Sequence, residues 1–247
     1  MNYELKMNRF QLILLILTVV TASCGQRQTK GNTSLTFKAI EVEDFVKHPG
    51  VTKNETGFNL QKINLNELPE DVLYMGDFSE AYRYVDPTGE NIVVLTETGV
   101  TTTADEDENI LSCKAIYAYR FLKKDNTWKE VWSIHHYEDE CINYPVAEFV
   151  KESFSITDLD NNGMAEIWLV FISSCHGDIS PDKLFIRLDD NQAVYMMSGE
   201  RRLKLSDEFI LGGEYTFDEK FIDRNTPSAF REYAMSMWDK YVEYKKE

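Results

Sequence analysis

Residues 115–137 read AIYAYRFLKKDNTWKEVWSIHHY. Two apolar and aromatic runs, Ala115 to Leu122 and Thr127 to Tyr137, flank Lys123-Lys124-Asp125-Asn126, the pattern of a β-hairpin. Aromatic and β-branched side chains favour extended backbone because they pack well on a pleated surface. In the second run Trp128, Glu130, Trp132 and Ile134 share one face by the two-residue period of a strand.

Similar signals recur on both sides. Asn91 to Glu97 (NIVVLTE) follows Asp86-Pro87-Thr88-Gly89, a turn in which proline presets φ and glycine closes the bend. Thr103 to Asn109 gathers Asp105-Glu106-Asp107-Glu108 into a solvated loop. Further strands are expected at Phe149–Ile156, Glu166–Ser173, Lys183–Leu188 and Ala193–Ser198. About seven or eight strands with short polar turns predict a mainly β (α+β) fold, its antiparallel sheets in a sandwich or barrel-like packing. The chain end differs. Thr226 as cap and Pro227 in the first turn open a C-terminal amphipathic helix. Its apolar stripe is Phe230, Tyr233, Ala234, Met237, Trp238 and Tyr241.

The N-terminus carries an address. Lys6 and Arg9 precede an apolar core, Phe10 to Val20, and Thr21-Ala22-Ser23-Cys24 follows at once. That order describes a secretory signal, and the core is too short to span a bilayer. The cysteine straight after small residues resembles the bacterial lipobox. Residues 1–23 are therefore expected to be a lipoprotein signal peptide, cut before a lipidated Cys24. Met7 is an alternative start. Residues 24–34 read as the anchor and a flexible polar tether, and residues 35–247 as a single β-rich domain with its terminal helix. The expected location is the cell envelope, lipid-anchored at the outer membrane and facing the periplasm or beyond.

Composition bounds the partners. Without residues 1–23, which hold Lys6, Arg9 and Glu4, 24 basic and 41 acidic side chains remain, a net charge of −17. Nucleic acid and anionic lipid headgroups attract basic faces, so neither suits this surface. Beyond Cys24 the cysteines are Cys113, Cys141 and Cys175. An oxidising compartment permits one disulfide and leaves one thiol over. Cys141 and Cys175 are expected to pair, with Cys113 a lone buried thiol.

The most chemical stretch is Thr157-Asp158-Leu159-Asp160-Asn161-Asn162-Gly163-Met164-Ala165-Glu166. Calcium needs six to eight hard oxygens from a chain that curls around it. Asp158, Asp160 and Asn162 alternate, Gly163 permits the bend, Met164 offers its carbonyl, and Glu166 adds a carboxylate. The twelfth position is Leu169 rather than glutamate, so this is not an EF-hand. The loop resembles the DxDxDG loops of calcium-binding β-repeat proteins, and calcium is expected in a structural role. The competing reading is a turn in which Asp and Asn cap their own backbone.

Other candidates are weaker. Cys175-His176-Gly177-Asp178-Ile179-Ser180-Pro181 holds a thiol, an imidazole, a carboxylate and a hydroxyl, but sequence neighbours rarely converge as a catalytic relay. It reads as a loop between strands. His135 and His136 point to opposite faces of one strand and cannot chelate one ion.

Several segments together carry a family resemblance. They are Asp86-x-x-Gly89-x-Asn91 running into Leu95-Thr96-Glu97-Thr98, the Thr157–Glu166 loop, Cys175-x-Gly177-Asp178-x-Ser180-Pro181, and the strand end Tyr195–Gly199. In this order, over residues 72–200 and with Trp238-Asp239-Lys240-Tyr241 in the terminal helix, they resemble bacterial envelope lipoproteins labelled surface-polysaccharide biosynthesis proteins. That pattern has arginine where His176 and Ser198 stand here, so no role of that charge transfers. The resemblance implies work on surface glycan and assigns no catalytic residue. The expected function is a non-enzymatic binding or assembly accessory, partnered by glycan or an envelope assembly protein. A glycan-modifying, hydrolase-like enzyme and a protein-interaction module are the alternatives.

Overall fold

The computed structural model describes residues 52–53, 57–177 and 179–244, with backbone alone at 52, 53 and 176. Cys24, the signal and the tether lie outside the described residues. Strands dominate because alternating apolar residues line both faces of two sheets. The first holds β1 (Thr52–Lys53), β2 (Asn59–Ile63), β3 (Asp77–Asp86), β4 (Gly89–Glu97), β5 (Thr101–Ala104), β6 (Ile110–Lys124) and β7 (Thr127–Cys141). Its order is β1-β2-β3-β4-β6, with β5 and β7 also paired to β6. The second holds β8 (Tyr144–Phe149), β9 (Ser155–Thr157), β10 (Glu166–His176), β11 (Lys183–Asp189) and β12 (Val194–Glu200). The chain then makes a separate hairpin, β13 (Leu203–Lys204) and β14 (Ile210–Leu211), and returns as β15 (Tyr215–Phe217) beside β12. All these pairings are antiparallel. Two short-range helices follow, α1 (Glu219–Ile222) and α2 (Ser228–Tyr241).

The sheets form a sandwich. Tyr82, Tyr84, Val93, Leu95 and Ala118 of the first meet Ile156, Ile167 and Leu169 of the second. The outer face of the second sheet carries Trp168, Val170, Leu184 and Ile186, buried under Phe230, Ala234, Met237 and Trp238 of α2. On the outer face of the first sheet, Ile92, Val94, Tyr117 and Tyr119 lie under Leu68, Val72 and Tyr74.

Three expectations need correction. Trp128 faces the outer cluster of the first sheet, whereas Trp132 and Ile134 face the sandwich interior. Trp132 pairs with Arg120 and Glu130 with Phe121, so Val131 is an extra residue. Such a bulge reverses the alternation beyond it. Phe149–Ile156 is not one strand: β8 and β9 pair with different stretches of β10. A turn closed by Ser153 N–H to the Val150 carbonyl (3.2 Å) separates them. The cap of α2 is Pro227, not Thr226, whose hydroxyl donates to the Lys220 carbonyl at 2.7 Å and closes the preceding turn instead.

Candidate metal centre

The loop between β9 and β10 brings Asp158, Asp160 and Glu166 together. One carboxylate oxygen from each lies within 4.8 Å of the others. Oxygens bound at about 2.3–2.6 Å to one calcium sit at most about 5 Å apart, so the three carboxylates could share a metal ion, with nothing in the spacing specific to calcium. Glu166 is buried and accepts from Leu159 N–H (2.8 Å), Asp160 N–H (3.1 Å) and the Thr157 hydroxyl. Burial pushes the Glu166 carboxyl above its usual range, against these hydrogen bonds, which lower it. A cation there would relieve that cost.

The remaining expected ligands divide. Gly163, at φ +81°, curls the chain so that its N–H reaches the Asp158 carboxylate at 3.1 Å. Asn162 donates its amide to Asp160 (2.8 Å) and accepts Met164 N–H (2.7 Å). Asn162 thus braces the turn, and its oxygen keeps one lone pair beyond the Met164 bond. The capping turn and the carboxylate cluster coexist in one loop.

A second feature, absent from the sequence reading, clamps this loop. Arg120 is buried in the middle of β6 and donates from Nε to Asn91 Oδ1 at 3.1 Å and from a terminal nitrogen to Asn191 Oδ1. Its guanidinium lies 3.7 Å from the Asp86 carboxylate. Asp86 accepts from Thr88 N–H (2.9 Å), from the Asn91 amide (3.2 Å) and from Ala165 N–H (3.3 Å). Asn191 donates to the Ala165 carbonyl at 2.8 Å. Both backbone groups of Ala165 are thus held, and Glu166 is its neighbour. Burial raises the Asp189 carboxyl, offset by Asn191 N–H and by Arg120 and Arg187. The signal for this brace was Arg120 itself, a charge inside the aromatic run Tyr119-Arg120-Phe121.

The other candidates also fall into place. Cys141 and Cys175 are disulfide-bonded with Cα atoms 5.6 Å apart, joining the end of β7 to the end of β10. Cys113, expected to be a lone thiol, is not free, since no described cysteine is. Strand β10 ends at His176 and β11 begins at Lys183, while Asp178 lies outside the described residues. His135 stacks on Tyr117 at 4.7 Å, and His136 packs against the stacked rings of Phe171 and Phe185 at 4.9 and 5.1 Å, so the two rings occupy opposite faces.

A groove of about 560 Å³ lies at the opposite end of the second sheet, over Phe185 and Ser198, with Lys183, Glu200 and Glu214 at its edge. Among the described residues no helix is long and apolar enough to cross a membrane. No protein family, curated protein or solved structure matches this chain.

Proposed function

We propose that the chain is a lipid-anchored envelope protein that acts by binding, as an accessory to surface polysaccharide, with a calcium ion stiffening one end of its sandwich. The convergence of Asp158, Asp160 and Glu166 carries the calcium reading. Their backbone hydrogen bonds orient the carboxylates without occupying every lone pair. The Arg120 brace gives the loop a fixed floor, and outer contacts of this kind set ligand orientation. Met164 would add its carbonyl. The lipobox-like run before Cys24 and the ordered motifs over residues 72–200 support the envelope and glycan parts. Labelling with a radioactive fatty acid tests the anchor: Cys24→Ser should lose the label, since the thioether forms only on sulfur. Label retained on the serine variant overturns it.

The groove favours one second reading, a glycan-modifying hydrolase. Glu200 and Glu214 border an aromatic floor at Phe185, and paired carboxylates are the groups such hydrolysis uses. Release of new reducing ends from envelope polysaccharide by the wild type, lost in Glu200→Gln, would establish it. No release leaves the binding role.

A further inference from the structure

We propose that the chain modifies itself at Asn162, whose side-chain amide is lost as ammonia so that a carboxylate comes to stand at that position of the loop. Asn162-Gly163 is the only Asn-Gly pair in the sequence. Such a pair cyclises readily, because the backbone nitrogen after asparagine must reach the side-chain carbonyl carbon, and glycine has no Cβ to hinder the approach. Asn162 is exposed, and a Cβ placed on Gly163 would meet only Pro87 Cγ, at 3.9 Å. The pair therefore has room to close and access to water.

The hydrogen bonds of the loop fall where the reaction needs them. Gly163 N–H donates to the Asp158 carboxylate at 3.1 Å, which sets a base on the nitrogen that must lose its proton. Met164 N–H donates to Asn162 Oδ1 at 2.7 Å, the oxygen on which negative charge builds as that nitrogen attacks Cγ. Asn162 Nδ2, the leaving nitrogen, donates to Asp160 at 2.8 Å and so fixes which way the amide is turned. Base, electrophile and oxyanion donor come from Asp158, Asn162 and Met164 of one short loop, and holding them together removes the cost of assembling them.

In the first step Gly163 N gives its proton to Asp158 and bonds to Asn162 Cγ. The Cγ–Nδ2 bond breaks, and ammonia leaves with that proton, returned through solvent. Water then opens the five-membered succinimide. Cleavage of the new N–Cγ bond leaves aspartate, and cleavage of the original peptide bond leaves isoaspartate. The sum is amide plus water giving carboxylate plus ammonium, with no oxidant or cofactor. The aspartate product adds a carboxylate on the alternate positions already held by Asp158 and Asp160, and a higher ligand charge binds a hard cation more tightly. This consequence rests on the metal reading of the loop, whereas the deamidation does not. A cation that draws the Asp158 carboxylate to itself takes away the base, so the loop converts while empty and is protected once loaded.

The test is peptide mapping by mass spectrometry of the purified full chain, kept in mildly alkaline buffer with chelator. Asn162 should turn to acid before any other asparagine, and at least about tenfold faster in the folded chain than in the same chain in urea. Asp158→Asn should bring the folded rate down towards the urea rate, with circular dichroism showing that the strands remain. Calcium in place of chelator should slow the wild type as well, with no substitution to disturb the fold. Asn162→Asp should gain more melting temperature from calcium than the freshly purified wild type does. Conversion at other asparagines first, conversion no faster folded than in urea, or an unchanged rate in folded Asp158→Asn would overturn the proposal. A folded chain that converts quickly but ignores calcium in both rate and melting would overturn the metal reading and leave the deamidation standing.

Discussion

Arg120 and Asp86 face each other at 3.7 Å with side chains only 3% and 0% exposed, one from the middle of β6 and one from the β3–β4 turn. The pair is joined to Asn91, to Asn191 and to Ala165 N–H, so it ties the β3–β4, β11–β12 and β9–β10 turns to β6. Removing one member strands the other charge out of water, at a cost of about 3–5 kcal/mol. Arg120→Leu should show a loss of that size in urea unfolding. Adding Asp86→Leu should recover part of it, because no charge is then left alone. A loss below about 1 kcal/mol would mean that the network does not brace the loop.

Calcium should raise the melting temperature. A ligand bound only to the folded chain adds about 2.7 kcal/mol at a hundredfold excess over Kd, or about 5–10 °C for a domain of this size. Asp160→Ala should lose most of this response and keep its strand signal in circular dichroism, since the half-buried Asp160 belongs to none of the buried clusters. Identical melting of the wild type in calcium and in chelator would reduce the loop to a turn.

Non-reducing peptide mapping should recover Cys141 joined to Cys175. The bond closes 34 residues of sequence separation, and restricting the unfolded chain over that length is worth about 3–4 kcal/mol. Cys141→Ala with Cys175→Ala should melt correspondingly lower. Recovery of either cysteine with a different partner would contradict the pairing.

Acid should weaken the sandwich through His136. Burial against Phe171 and Phe185 lowers its pKa, assisted by His135 and Lys183 and opposed by Glu138. The folded state therefore favours the neutral ring. Its contribution is complete above the unfolded value of about 6.5 and declines as pH falls through the lowered folded one. His135 is shifted the same way by burial. Melting at pH 7.5 and 5.5 should show less acid sensitivity in His136→Phe than in the wild type. Unchanged sensitivity would assign the effect elsewhere.

The 115–137 hairpin was legible because its two runs and turn are local, but its phase was not. Val131 looks like any strand residue, and only its lack of a partner on β6 moves Trp132 to the interior. β3 was missed because Glu80 and Arg83 interrupt its apolar run, and Glu80 is accommodated by Lys62 and Tyr82. The carboxylates of the metal loop are neighbours in sequence and could be read directly. The Arg120 brace joins positions 86, 91, 120 and 191, which no local pattern connects. Cys113 was assigned by parity alone, which carries no geometry.

Strand β7 closes one edge of the first sheet over 15 residues, a length that invites further strands to add. Its ladder is broken twice, at Val131 and again where Asp139 and Glu140 stand opposite the single residue Cys113 of β6. The second break includes Glu140 at φ 51°. Flat stacking needs an unbroken row of donors and acceptors, and these two offsets deny it. An unbroken edge of this length would otherwise be exposed to filament growth. Straightening β7 by deleting Val131 should therefore convert a dispersed protein into one prone to polymerise.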